Sequence, residues 1–462
     1  MPRQVILGGK PFATYKIVGF LWIGGVPLLA AAALTSPHAA DAVPAFAQQT
    51  GQPCKSCHVG GFGPELTPLG REFKLGGYTL RTHSSVPLAA MAVTSFTHSR
   101  KDQDPAPEHL SRNDNVTLDE AAIFIAGGVG QHFGAFAEIT YEGIDRHLTW
   151  DNLDVRAVTP AHLLGTDATL GLSLNNSPTV QDPWNTLPAW GFPFTDTETT
   201  PTPDAAPLID GALAQNVLGL TGYSWIGHHF YLEGGGYSSP SQGTLRWLGS
   251  DPADPGNIHG LAPYARAAYS TNLAGGTFEF GGSYLKASLF PGRDRSSGLT
   301  DHYTDLGLDS SWQKVIGKSD TLSVNLRYER EHGDLRASCA LSLVGDDNNP
   351  GCARYRLSEW RAAVRYTLHD RVGLVVSPFS ITGSRNDNLF ESGRPDSNGL
   401  MGEVDYTLWP DGNSPFGPLA NARVGIQYTA YGKFNGRRHN FDGAGANAAD
   451  NDVLRLFSWI AF

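Results

Sequence analysis

The stretch Thr321-Leu-Ser-Val-Asn-Leu-Arg-Tyr-Glu-Arg-Glu331 decides the fold. Leu322, Val324, Leu326 and Tyr328 share one face, and Ser323, Asn325, Arg327, Glu329 and Glu331 share the other. Successive side chains of a strand point to opposite sides, so this is a strand with an apolar medium on one side and water on the other. The pattern recurs. Ala422, Val424, Ile426 and Tyr428 oppose Arg423, Gln427 and Thr429; Leu400, Val404, Tyr406 and Leu408 oppose Glu403, Asp405 and Thr407; Phe278, Phe280 and Tyr284 oppose Glu279 and Ser283. A soluble sandwich with its apolar faces turned inward has the same period, so alternation alone does not choose between them.

Connection lengths do. Tight turns are expected at Gly128–Gln131, Gly165–Ala168, Ile226–His229, Leu273–Gly276 and Gly317–Asp320. Between them run long polar connections: Lys101–Asn115, Asn175–Asp210, Ser238–Asn257, Arg336–Arg354 and Arg385–Asn398. Strict alternation of short and long connections is the pattern of outer-membrane barrels, with short periplasmic turns and long extracellular loops, and counting hairpins predicts about 16 antiparallel strands. The last strand, Asp452–Phe462, places Leu454, Leu456, Ile460 and Phe462 on one face and ends on an aromatic, like the assembly signal of outer-membrane proteins. The long connection Asn175–Asp210 is rich in proline and aromatics, including Trp184, Trp190, Phe192 and Phe194, and is a candidate lid or constriction folded into the pore.

Composition agrees. The 462 residues include 54 Gly, 22 Phe, 16 Tyr and 10 Trp, and only 17% are charged, as suits a barrel. The mean hydropathy of -0.24 is not that of a helical membrane protein. The net charge of -11 argues against nucleic acid as a partner.

The N-terminus reads as an export signal. Arg3, Lys10 and Lys16 precede an apolar stretch, Ile17–Leu34, and Ala40-Asp41-Ala42 supplies an A-x-A site, so residues 1–42 are expected to be cleaved. In an exported chain, Cys339 and Cys352, which flank a polar segment, are expected to form a disulfide across a loop.

The other two cysteines lie in Cys54-Lys-Ser-Cys57-His58. C-x-x-C-H marks covalent attachment of haem c: two thiols bond the vinyl groups and the following histidine takes the proximal position on iron. A zinc site would need two more ligands, and no second Cys/His pair follows. For the sixth position Met91 is the leading candidate, His83 the rival, and Met401 a third possibility on a lumen-facing strand. Gly60-Gly61-Phe62-Gly63-Pro64 and Gly76-Gly77 predict turns, and Leu69–Leu75 a short helix. So small a unit cannot bury a haem alone, so the barrel lumen is expected to cover it. The expected organisation is a signal peptide over 1–42, a monohaem cytochrome c segment over 43–88 and a porin-like barrel over 89–462.

The run Phe46-Ala-Gln-Gln-Thr-Gly-Gln-Pro-Cys54-Lys-Ser-Cys57-His58, followed by Leu69-Gly-Arg-Glu-Phe73-Lys-Leu-Gly-Gly77-Tyr78, resembles the start of the fused monohaem cytochrome–porins, a family that includes outer-membrane iron-oxidising cytochromes. The resemblance extends to the layout of the whole chain. It implies electron transfer across the outer membrane through one haem c, from an extracellular donor such as Fe(II) to a periplasmic carrier. Acidic lumen groups, Glu138, Glu329, Glu403 and Asp405, are candidates to attract a cation, beside the plainer reading of a hydrated polar lumen. Two alternatives stand: a diffusion porin whose haem segment is a plug or sensor, and a haem enzyme such as a peroxidase.

Overall fold

A computed structural model describes residues 44–82, 87–250, 255–341, 343, 353–390, 392–416 and 420–462. The expected signal peptide, His83 and Cys352 lie outside these residues. Cys339 sits in the short helix Arg336–Ala340.

Sixteen long strands are arranged in chain order: β1 (Leu88–Ser99), β2 (Asn115–Val129), β3 (Phe133–Glu142), β4 (His147–Leu163), β5 (Thr166–Asn175), β6 (Leu218–Ile226), β7 (Phe230–Ser238), β8 (Ala262–Leu273), β9 (Gly276–Phe290), β10 (Asp301–Ile316), β11 (Asp320–Asp334), β12 (Arg354–Leu368), β13 (Val372–Gly383), β14 (Ser397–Thr407), β15 (Asn421–Lys433) and β16 (Val453–Ala461). Each pairs antiparallel with its neighbours in sequence. β1 also pairs with β16, Met91 opposite Ala461 and Ser99 opposite Val453, so the sheet closes on itself. Closure removes the edge strands that an open sheet would expose. A two-residue segment, Asn257–Ile258, adds to the end of β9.

The alternation read from the sequence holds through the closed sheet. Leu306, Leu326, Val364, Val376, Val404 and Ile426 point outward and are exposed, whereas Asp305, Glu329, Arg365, Asp405, Arg423 and Gln427 point inward and are buried. An apolar outer surface on a closed barrel faces lipid, and the chain is an outer-membrane β-barrel. No helix of the described residues is long and apolar enough to cross a membrane.

The strict alternation of connection lengths has two exceptions. The connection 143–146, on the side of the long loops, is tight, and the connection 408–420, on the side of the turns, is long. The second exception is used: Pro410 and Asp411 in it receive the N-terminal segment described below.

Two segments fill the lumen. The first, residues 44–82, contains α1 (Pro44–Thr50), α2 (Cys54–Cys57) and α3 (Pro68–Leu75). It touches strands around the barrel. Gln49 Nε2 donates to the Tyr78 carbonyl and Gln49 Oε1 accepts from Gly128 N, both at 2.7 Å. Tyr78 OH donates to Asp154 at 2.7 Å, and Tyr223 OH to the Leu75 carbonyl at 2.7 Å. Gln313 donates to the Leu66 carbonyl at 3.3 Å. Gly134 of β3 lets the segment in: a Cβ there would lie 2.1 Å from the Gly77 carbonyl oxygen.

The second filling segment is the connection 176–217. Arg266 of β8 meets Asp182 at 3.2 Å, and Arg327 of β11 meets Asp210 at 3.0 Å. Leu208 N and Ile209 N donate to Glu331 at 2.6 Å and Asp305 at 2.8 Å. Arg455 of β16 donates to the Thr195 carbonyl at 2.7 Å. The loop therefore crosses the lumen, pinned by side chains of opposite walls.

Candidate functional site

The C-x-x-C-H segment folds through its own backbone. His58 N donates to the Cys54 carbonyl at 2.9 Å, which closes the single turn of α2. Val59 N donates to the Glu65 carbonyl at 3.0 Å and Thr67 N to the Cys57 carbonyl at 2.9 Å, so residues 58–66 return beside the motif. Thr67 caps α3, accepting from Gly70 N at 3.3 Å, with Pro68 in the first turn. Tyr78 N donates to the Phe73 carbonyl at 3.0 Å, with Gly77 at φ +66 ending α3. Gly70 is required by the approach of α3 to the motif, since a Cβ there would lie 2.3 Å from the Cys57 carbonyl oxygen.

The barrel holds this segment at the end where its turns lie. Lys55 N donates to the Pro410 carbonyl at 3.3 Å, and Lys55 Nζ meets Asp411 at 2.6 Å and Asp370 at 3.4 Å. Asn421 Nδ2 donates to the Gly61 carbonyl at 2.9 Å and lies 3.5 Å from Cys54 Sγ.

Cys54, Cys57, His58 and Met91 all line one cavity of about 310 Å³. Aromatic rings stand around it, among them Phe46, Phe62, Phe124, Phe136, Phe194, Trp190 and Trp459. At one end stand Glu120, Glu138 and Asp151 of the barrel, with Lys74 of α3 the cation of the lining. Met401 is not part of this lining; it packs with Phe192, Ala363 and Val375.

The donor set fits a haem. Burial lowers the His58 pKa to about 4, the Gly63 backbone partly offsets this, and the Arg423 charge adds to it. The imidazole is therefore neutral at ordinary pH, the form that binds a metal. Its Nδ1 is buried without a hydrogen-bond partner, and the Gly63 backbone lies beside the ring, where a backbone group can orient a ligating histidine. Burial pushes the Cys57 thiol up to about 11. Met91 Sδ accepts from Trp459 Nε1 at 3.1 Å. Lys74 is lowered to about 7, first by burial and then by the Arg156 charge. Its Nζ donates to the Val180 carbonyl and to Asn185 Oδ1, each at 2.8 Å, and sits 4.8 Å from the Trp190 ring centroid.

Of the four acidic groups singled out in the sequence, only Glu138 lines the cavity. Glu329 lies 3.6 Å from Arg327, Glu403 lies 3.9 Å from Arg365, and Asp405 lies 2.7 Å from Arg365 and 3.2 Å from Arg423. Those three are wall braces, because buried carboxylates are retained when paired with guanidinium groups. Glu120 and Asp151 escaped the reading, and β-bulges explain why. Between β1 and β2 the register shifts at Val93/Thr94, and between β3 and β4 at Ala137/Ile139. A bulge re-aims side chains against strict alternation, so alternation does not place these two carboxylates. Trp459 did carry a signal, as a large aromatic on the face of β16 opposite Leu454, Leu456 and Ile460.

From the cavity end the acids continue outward. Glu142, half-buried, feels the charges of Asp151, Glu198, Asp145 and Asp196. Asp145, Asp196 and Glu198 are exposed. Glu138 accepts from Asn152 at 2.8 Å and Asp151 from Gln215 at 2.9 Å. Neither these two nor Glu120 and Glu142 form an ion pair among the described residues.

The barrel is similar to solved outer-membrane channels. An anion-selective porin from Comamonas acidovorans is 11% identical over 82% of this chain and 99% of its own, with a TM-score of 0.46. The outer-membrane channel DcaP of Acinetobacter baumannii is 10% identical over 81% and 96%, with a TM-score of 0.47. OprB of Pseudomonas putida is 10% identical over 81% and 93%, with a TM-score of 0.45. Neither a protein-family model nor a curated relative matches the sequence.

Proposed function

We propose that this barrel is a cytochrome–porin, an electron conduit carrying one covalent haem c in the cavity of its lumen. The observation that supports it is the convergence of Cys54, Cys57, His58 and Met91 on one aromatic-walled cavity, with His58 neutral. Cys54 and Cys57 would anchor the group by thioether bonds, and His58 and Met91 would ligate its iron. Bound there, a haem supplies a one-electron couple, with a potential raised by Met/His ligation.

The chain's own residues do the rest. The aromatic walls exclude water. Lys55, Asp370 and Asp411 hold the motif near the periplasmic turns, within reach of a soluble periplasmic carrier. An external donor must then come down the lumen, since the apolar band of a barrel is roughly 25 Å tall. The carboxylates from Asp145 inward to Glu120, Glu138 and Asp151, without ion pairs among the described residues, favour a cation, which makes Fe(II) or another reduced metal ion the preferred class of donor.

The test is expression with the cytochrome c maturation machinery, purification from outer membranes and haem staining after denaturing electrophoresis. Wild type is expected to keep covalent haem, and Cys54→Ser/Cys57→Ser to lose it while the barrel still assembles. A wild-type chain without covalent haem overturns the reading. The second reading, a diffusion porin with a haem-bearing plug, draws on the water-exposed acids at Asp145, Asp196 and Glu198. It predicts solute conductance through the haem-loaded barrel in planar bilayers, where the conduit predicts a blocked pore.

A further inference from the structure

Met91 is an awkward choice for an axial ligand. Its side chain has three rotatable bonds and a thioether that adapts to many surroundings, and it projects from a barrel strand rather than from the haem segment. Something must hold its sulfur. Trp459 does so: its Nε1 donates to Met91 Sδ at 3.1 Å.

Trp459 is itself fixed. Its ring meets Phe62 edge-on at 4.9 Å between centroids. A Cβ built on Gly63 would stand 3.6 Å from the indole, so the residue whose backbone lies beside the His58 ring also packs on Trp459. The indole thus touches both arms of the expected coordination, the loop behind His58 and the sulfur of Met91. The pairing register brings this about. Val93 stands opposite Trp459 and Met91 opposite Ala461, so Met91 and Trp459 are diagonal neighbours on the lumen face, within reach of long side chains. They belong to the first and last strands and meet only where the barrel closes.

We infer that Trp459 is a positioning residue for Met91: its indole N–H orients the sulfur toward the haem cavity, and the closing of the β1–β16 seam completes the axial ligand set. This rests on the reading of Met91 as ligand given above. A thioether sulfur has two lone pairs, so one can accept the indole N–H while the other remains for iron. The hydrogen bond draws electron density from the sulfur, weakens its donation to oxidised iron and so favours the reduced form, as outer groups around a metal ligand do.

The experiment uses haem-loaded full-length protein purified from outer membranes, with heat-modifiable gel mobility confirming a closed barrel in each variant. Midpoint potential and the sulfur-to-iron charge-transfer band are measured for wild type, Met91→Ala, Trp459→Phe and Trp459→His. Met91→Ala is expected to abolish the band. Trp459→Phe, which keeps aromatic bulk and removes the donor, is expected to weaken the band and lower the potential. Trp459→His, which keeps a ring N–H, is expected to recover part of both. If Met91→Ala leaves band and potential unchanged, Met91 is not the ligand and the underlying reading fails. If Met91→Ala abolishes the band while Trp459→Phe and Trp459→His both match wild type, Met91 stands and the role of Trp459 is overturned. Equal losses in the Phe and His variants also overturn it, since bulk rather than the donor would then be at work.

Discussion

Two sets of carboxylates, on two walls of the same lumen, are held in opposite ways. Along β8–β15 most inward acids are braced by arginines, while Asp305 and Glu331 instead accept from the backbone of the lumen loop. Arg266 lies 2.6 Å from Asp309, 3.2 Å from Asp182 and 3.3 Å from Glu279, all with side chains 0% exposed. Arg327 serves Asp210, Glu329 and Glu359, and Arg365 serves Glu403 and Asp405. Along β2–β4, Asp119 and Asp154 also have arginines, Arg455 and Arg156, but Glu120, Glu138, Glu142 and Asp151 crowd one another; Glu138 and Asp151 have amide and hydroxyl partners, and none of the four pairs with an arginine among the described residues. Buried like charges without counter-ions cost stability. A wall that tolerates this cost lies where the lumen does something other than hold itself together, and it is the wall that meets the haem-motif cavity. The braced wall is structural: its arginines fasten the lumen loop and the plug to the barrel.

The largest expected effect breaks the braced wall. Arg266→Met would leave Asp182, Glu279 and Asp309 buried without their cation. Removing one partner of such a buried group costs about 3–5 kcal/mol. Urea unfolding followed by gel mobility should show a clearly lowered midpoint, and Asp182, freed, should release the loop at 176–217. A midpoint equal to wild type would mean that water reaches these acids and that the two walls do not differ in kind.

The unbraced wall should behave in the opposite sense. Glu120→Gln/Glu138→Gln/Asp151→Asn removes repulsion, so unfolding should be unchanged or shifted upward by no more than about 1 kcal/mol. Reduction by Fe(II) should slow by about tenfold or more, since an acidic passage concentrates cations, and its dependence on ionic strength should flatten. Reduction by an anionic reductant such as ascorbate should not slow. Equal slowing by both reductants would show that the acids shape the cavity rather than attract the donor.

How much of this could be read from the residues differs along the same line. Strand periodicity follows from alternation such as Thr321–Glu331, because lipid outside and water inside impose it on every strand, and the barrel follows once connection lengths are added. The C-x-x-C-H motif is legible because its chemistry is local. The braces were not: Glu329 and Asp405 look like free lumen acids until their arginine neighbours on adjacent strands are known, and strand register is a long-range property. Glu120 and Asp151 were hidden by bulges, which break the period on which the reading depends. Trp459 stood on the expected lumen face, but its partner Met91 lies at the other end of the chain, and only barrel closure joins them.

Burial decides what an ion pair is worth, and the smallest predicted effect tests that. Lys55 makes two ion pairs at the barrel end, with Asp411 at 2.6 Å and Asp370 at 3.4 Å. Its geometry is as good as that of Arg266, yet Lys55 and Asp411 are 37% and 41% exposed. Water and salt screen such pairs, so Lys55→Ala should cost no more than about 1 kcal/mol, and the difference from wild type should fade as salt is raised. The backbone bond from Lys55 N to the Pro410 carbonyl survives the substitution and keeps the motif seated. A loss comparable to that of Arg266→Met, persisting in high salt, would show that the rim pairs fasten the plug as firmly as the arginines within the lumen.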